Sequence, residues 1–118
     1  MKLKTIKNII KNNGATLNKD GKAVNFASGY QVSKKDCFIL SINNTNAILD
    51  AINNTLNTIN QNEFCGIWIE NSKAYIDISI KVDTLDDALK LGKELKQISI
   101  FDWGTKNCIY CNTNKNNK

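Results

Sequence analysis

At 118 residues, with 42% hydrophobic and 23% charged side chains, the chain is long enough for one two-layer core and too apolar for wholesale disorder. All sixteen basic residues are lysine, and histidine, arginine and proline are absent. Imidazole-based mechanisms are thereby excluded, as are bidentate arginine forks on phosphate or guanine.

No apolar run approaches the ~20 residues that cross a bilayer. The first lysines have no apolar block behind them, so no secretory signal is expected and the location predicted is cytoplasmic. The net charge of +5 is unevenly spread. Residues 1–35 carry eight lysines and one aspartate, 36–105 five lysines and ten acids, and 106–118 three lysines. The basic flanks either attract the acidic middle or present lysines to nucleic acid. These spans also divide the expected single domain, 1–118, into a basic N-terminal layer, a core and a short strand with a polar tail.

Leu3, Ile6 and Ile10 fall at helical spacing, and Asn13-Gly14 ends the pattern. In ATLNKDGKAVNF, Asp20-Gly21 signals a hairpin with a type I′ turn. Gly29 then restarts the chain into YQVSKK, a third short strand. Together these read as an accessory layer. Residues 37–42, CFILSI, form an apolar run suited to a strand buried on both faces. Asn43, Asn44 and Thr45 offer helix caps, after which Ile48, Ala51, Ile52, Leu56 and Ile59 keep a helical stripe to about residue 61.

In CGIWIEN, Cys65, Ile67 and Ile69 face one way and Trp68 the other. Asn71-Ser72 makes a turn. In KAYIDISIKV, Ala74, Ile76, Ile78, Ile80 and Val82 share one face, with Tyr75, Asp77 and Ser79 opposite. Thr84 and Asp87 have capping-box spacing, and Leu85, Ala88, Leu89, Gly92 and Leu95 form the next helix's buried stripe. Ile98 and Ile100 should then point inward, Ser99, Phe101 and Trp103 outward. Gly104 turns the chain into a last short strand, CIYC, before the frayed tail NTNKNNK.

From Cys37 to Trp103 the order is β-α-β-β-α-β. The expected fold is therefore α+β: a ferredoxin-like antiparallel sheet with two helices on one face. To it are added the N-terminal helix and hairpin and a short C-terminal strand. The other sheet face would show Trp68, Tyr75, Asp77, Ser79, Phe101 and Trp103, beside Tyr30, Lys34 and Lys35 from the preceding segment. Two readings stand. Either residues 1–35 fold over this face, bringing Phe26 and Tyr30 against it, or the aromatics contact a partner protein, a small ligand such as a nucleotide, or a second copy of the chain.

RNA-recognition domains stack bases on this surface. Lys73 and Tyr75 suit their third-strand motif, but Asp77 puts an anion at the next stacking position and no glycine follows Lys73. RNA binding by this face is not expected.

The cysteines do not make a zinc site: Cys108 and Cys111 form one CxxC pair, while Cys37 and Cys65 stand alone. All four read as small buried apolar residues. Glu70, Asp77 and Asp102 offer carboxylates without a phosphate-cradling loop or a base. The chain is expected to be non-enzymatic, with no metal and no cofactor.

The segments GATLNKDGKAVNF, SGYQVSKKD and GIWIENSKAYIDISIKVDTLDDALKLGKELKQISIFDW resemble small accessory proteins of phages, plasmids and conjugative elements of low-GC bacteria. That likeness spans roughly Leu3 to Thr105 and carries no assigned activity or catalytic residues. It implies a mobile-element context, in which small proteins without a catalytic signature are often inhibitors or sequestering agents aimed at a host protein of a defence system, as anti-CRISPR proteins are. The alternative is a small nucleic-acid binder using the lysine-rich flanks.

Overall fold

Ile6 and Ile9 lie on one side of the first helix, α1 (Leu3–Lys11), and are its buried residues. Ile10, expected on that stripe, is only partly buried. The computed structural model describes residues 2–111, so the expectation for the tail NTNKNNK falls outside the described residues. Two further helices follow, α2 (Thr45–Thr58) and α3 (Leu85–Glu94). The strands are β1 (Gly14–Leu17), β2 (Tyr30–Ser41), β3 (Phe64–Glu70), β4 (Lys73–Val82), β5 (Ser99–Asp102) and β6 (Asn107–Tyr110).

The fold is α+β, and its six strands form an antiparallel sheet in the order β1-β3-β4-β2-β5-β6. This departs from the expected four-stranded plait. Gly14–Leu17 is not part of an accessory layer but pairs along β3, because Leu17 and Ala15 alternate into the core with Cys65 and Ile67 opposite them. The two strands expected at YQVSKK and CFILSI are one. No glycine, proline or asparagine interrupts residues 30–41, and the exposed Lys34, Lys35 and Asp36 simply project from a continuous strand.

The described chain divides into two compact units. One takes in residues up to 24 together with 35–79; the other takes in 25–34 together with residues from 80 onward. Strands β2 and β4 run through both.

In the first unit, α1 and α2 cover one face of β1, β3 and β4. Ile6, Ile48, Ile52, Cys65 and Ile76 are fully buried there. Asn44 caps α2, its Oδ1 accepting from the Ala47 amide at 3.2 Å. The helix stops at Thr58, short of the predicted 61.

No basic residue stands in the last turn of α2. Lys19, from the turn after β1, supplies one: its Nζ donates to the Leu56 carbonyl at 3.0 Å. A cation there meets carbonyls that the helix leaves unpaired and the negative end of its dipole. Lys19→Met should therefore lower stability by about 1 kcal/mol in denaturant titration. The exposed Lys22→Met is the control, and equal losses from the two would remove the capping role.

The turn holding Lys19 differs from the predicted type I′ form. Only Gly21 has positive φ, at 81°. Asn18 pairs with Lys22 across a three-residue loop, and its Oδ1 accepts from the amides of Asp20 and Lys22 at 3.0 Å each. That is the longer hairpin loop, with glycine in the left-handed position. Two consecutive positive φ values occur instead at Asn71 (53°) and Ser72 (62°), the tight turn between β3 and β4.

In the second unit, Val32, Ala88, Ile100 and Cys111 form a small buried core under α3. Thr84 Oγ1 accepts from the Asp87 amide at 3.3 Å, and Asp86 and Asp87 sit in the first turn where the dipole favours them. Gly92 lets α3 approach β5 and β6: a Cβ there would lie 2.6 Å from Cys111 Sγ and 3.1 Å from Ile100 Cγ2. The chain leaves α3 through Lys96 at φ 58°, with the Gln97 amide on the Gly92 carbonyl. Ile98 then points to solvent, 78% exposed, rather than inward as predicted.

Candidate functional site

The side chains expected to form the aromatic surface take different positions, unit by unit. In the first, Trp68 on β3 and Tyr75 on β4 are direct cross-strand partners. Both stand on the face away from α1 and α2, because their neighbours Ile67, Ala74 and Ile76 fill the core. Trp68 remains 45% exposed and Tyr75 half-buried. The residue across β1 from Trp68 is Gly14, which adds no side chain to that flank.

A third member was missed from sequence. Ile39 is 61% exposed. Phe38 and Leu40 turn into the core, so Ile39 faces the same side as Trp68 and Tyr75. The Ile42 amide donates to the Ser72 carbonyl at 3.1 Å. Counting three residues back along β2 and three forward along β4 brings Ile39 beside Tyr75. The signal lay in CFILSI itself: its alternation makes it a strand with one open face, and the run of apolar letters concealed it.

Asp77 lies two residues beyond Tyr75, opposite Gly66. Ser79 Oγ donates to its Oδ1 at 2.6 Å. Gly66 is required beneath this pair, since a Cβ there would fall on the Asp77 carboxylate and 3.1 Å from Ser79 Oγ. Ser79 was expected on the surface but is 1% exposed. A hydroxyl so enclosed cannot meet a substrate, and the pair serves to order the sheet.

Burial pushes the Cys65 thiol up to about 12, with the nearby Asp77 carboxylate adding to the shift. Burial likewise raises Cys37, partly offset by Lys35. A raised thiol is a poor nucleophile at neutral pH.

In the second unit, Trp103 is not an open platform. It is 7% exposed. Phe26 and Phe101 both meet it edge-on, with ring centroids at 5.3 and 5.1 Å. Lys106 Nζ lies 4.5 Å above its ring and is also held by Asn25 Oδ1 at 2.6 Å. Lys81, paired with Asp83 at 3.1 Å, sits over Phe26. The segment 25–29 therefore does cover aromatic surface, through Phe26.

Tyr30 plays no part in that cover, because even-numbered positions of β2 here point into the core with Val32. Phe101 is half-buried, and Lys34 is exposed in this unit as Lys35 is in the other. Of the four cysteines expected inside, Cys65 and Cys111 are buried, Cys37 is half-buried and Cys108 is exposed on β6. The difference at Cys108 follows from its facing away from α3 on an edge strand.

Among the described residues no group of three or more cysteine, aspartate or glutamate side chains could hold a metal ion. No described helix is long and apolar enough to cross a membrane. No protein-family model matches the chain, and comparison with curated proteins and with solved structures finds no match.

Proposed function

We propose that this chain is a non-catalytic binding protein that engages a partner protein through the strip Ile39, Tyr75 and Trp68. The observation that carries the proposal is the contiguity of three large side chains, one on each of three neighbouring strands, two of them among the most exposed apolar groups of the fold. Burying an exposed tryptophan and tyrosine at the centre of a contact is the usual source of binding energy. Glu70 and Lys73, opposite each other at the strip's end, and Lys35 on the Ile39 side form a mixed-charge rim. The resemblance to accessory proteins of phages and mobile elements supports a host defence component as the partner, held as an inhibitor holds its target. A ferredoxin-like origin for the four inner strands belongs to the same proposal, with β1 and β6 as additions at the two edges.

The test uses capture from a host lysate, followed by affinity measurement on the captured partner. Trp68→Ala and Ile39→Ser should each weaken binding by about 2 kcal/mol, roughly thirtyfold, with an unchanged thermal midpoint. Undiminished affinity in both variants, or loss of fold in both, would sink the reading.

A second reading has its own observation. Lys2 at the N-cap and Lys4, Lys7 and Lys11 on α1 are all exposed, and the buried side of the helix is already filled by Ile6 and Ile9. Nucleic acid held by these lysines would dissociate steeply with added salt. A gel-shift series without any complex at the lowest salt removes that alternative.

A further inference from the structure

The two edges of the sheet are treated differently. On β1 the chain folds back: the Val24 amide donates to the Thr16 carbonyl at 2.9 Å, and Ala23 bridges Leu17. On β6 no described strand or return segment lies beyond the edge. Residues 107–110, NCIY, carry no charge, no proline and no bulge, three of the devices that blunt an open edge; only the shortness of the strand, four residues, limits it.

The register on β5 decides which backbone groups of β6 point outward. The Cys111 amide donates to the Ile98 carbonyl at 2.9 Å, and the partners run Ser99 with Tyr110, Ile100 with Ile109, Phe101 with Cys108. Hydrogen-bonded pairs alternate with non-bonded ones along an antiparallel ladder. Ile109 therefore spends its amide and carbonyl on Ile100, while those of Cys108 and Tyr110 are aimed away from the sheet. Ile109 turns its side chain to the core, and Cys108 and Tyr110 share the opposite face, with Tyr110 64% exposed.

We propose that β6 pairs antiparallel with β6 of a second copy, joining two sheets edge to edge about a two-fold axis through Ile109. An edge with two outward residues separated by one is complementary to itself. Placing Cys108 opposite Tyr110 of the partner copy, and Tyr110 opposite its Cys108, engages all four outward amides and all four outward carbonyls. Shifting the axis onto Cys108 or onto Tyr110 leaves half of them without partners inside the strand. In the chosen register a small side chain stands beside a large one at both symmetric positions. The two Cys108 residues are offset along the strands, beyond the ~7 Å limit for a disulfide, so the association is non-covalent.

Light scattering on the purified chain should give twice the 13.2 kDa of one chain. Tyr110→Pro removes one outward amide and leaves the Ile109 pair with β5 intact. It should halve the mass while preserving the far-ultraviolet circular dichroism. If that variant fails to fold, Tyr110→Lys opposes the same contact by charge and should also be monomeric. Tyr110→Cys, oxidised, should run as a covalent dimer on a non-reducing gel, and adding Cys108→Ser should abolish that band. A monomeric wild type, a dimeric folded Tyr110→Pro, or a cross-link that survives Cys108→Ser each overturns the proposal. None of these outcomes depends on the Ile39–Tyr75–Trp68 strip.

Discussion

Gly14→Ala is expected to cost about 3 kcal/mol of stability, at the severe end for a single methyl group. Two effects coincide at this position. Its φ of +136° is open to glycine and strained for any residue with a Cβ. The added carbon would also fall on the Ile67 carbonyl, with Ile67 C at 3.3 Å and Trp68 Cα at 3.4 Å.

These neighbours are backbone atoms of β3, which cannot swing aside as a flexible side chain can. The tight geometry comes from the turn out of α1. Asn13 takes the left-handed conformation at φ 66°, its amide on the Ile10 carbonyl and its own carbonyl accepting from the Ile69 amide at 3.2 Å. Helix and strand thus meet across two residues, and relief would require pulling β1 off β3. Gly21→Ala is the comparison. Its φ is also positive, at +81°, but the nearest atom to a new Cβ is Leu56 Cδ1 at an ordinary 3.5 Å, so only the conformational cost of about 1 kcal/mol applies. Thermal midpoints should separate the variants by several degrees, and equal losses would show that the backbone contact contributes nothing.

Local signals carried most of the elements. The Thr84 cap, the Asn71-Ser72 turn and the alternation of CGIWIEN and KAYIDISIKV each contain the physics that forms them. What escaped depended on partners distant in sequence. Nothing in ATL states that Leu17 will find Cys65, so β1 reads as part of a local hairpin until the sheet is seen. Trp103 has the right parity for an outward residue, yet Phe26, 77 positions earlier, encloses it. The same parity rule correctly turned Trp68 and Tyr75 away from the core, because a cross-strand pair in one hairpin is settled by the turn between them. Ile39 was missed for the opposite reason: an unbroken apolar run hides which of its letters will face solvent.

Stability should fall as the pH is raised above the ordinary thiol range, and Cys65 should be a cause. Cys65 is fully buried, in the core cluster that holds Ile67 of β3 and Ile48 and Ile52 of α2. Burial, reinforced by Asp77, lifts its pKa from the ordinary 9.0 to about 12. Below pH 9 both folded and unfolded chains keep the proton, and the full stability is present. Between the two values the unfolded chain gives the proton up while the folded chain retains it. Rising pH therefore favours unfolding by about 1.4 kcal/mol per unit from this group, until the folded value is passed.

Cys65→Ala provides the reference. The smaller side chain costs about 1 kcal/mol at pH 8 by leaving a small void, but it removes the titration. Every other side chain is the same in both proteins, so its contribution cancels in the difference. Denaturant midpoints taken from about pH 8 to about pH 11 should therefore converge and then cross, with the variant more stable at the alkaline end. Parallel curves would mean that the folded and unfolded thiols ionise alike, and would overturn the assignment to Cys65.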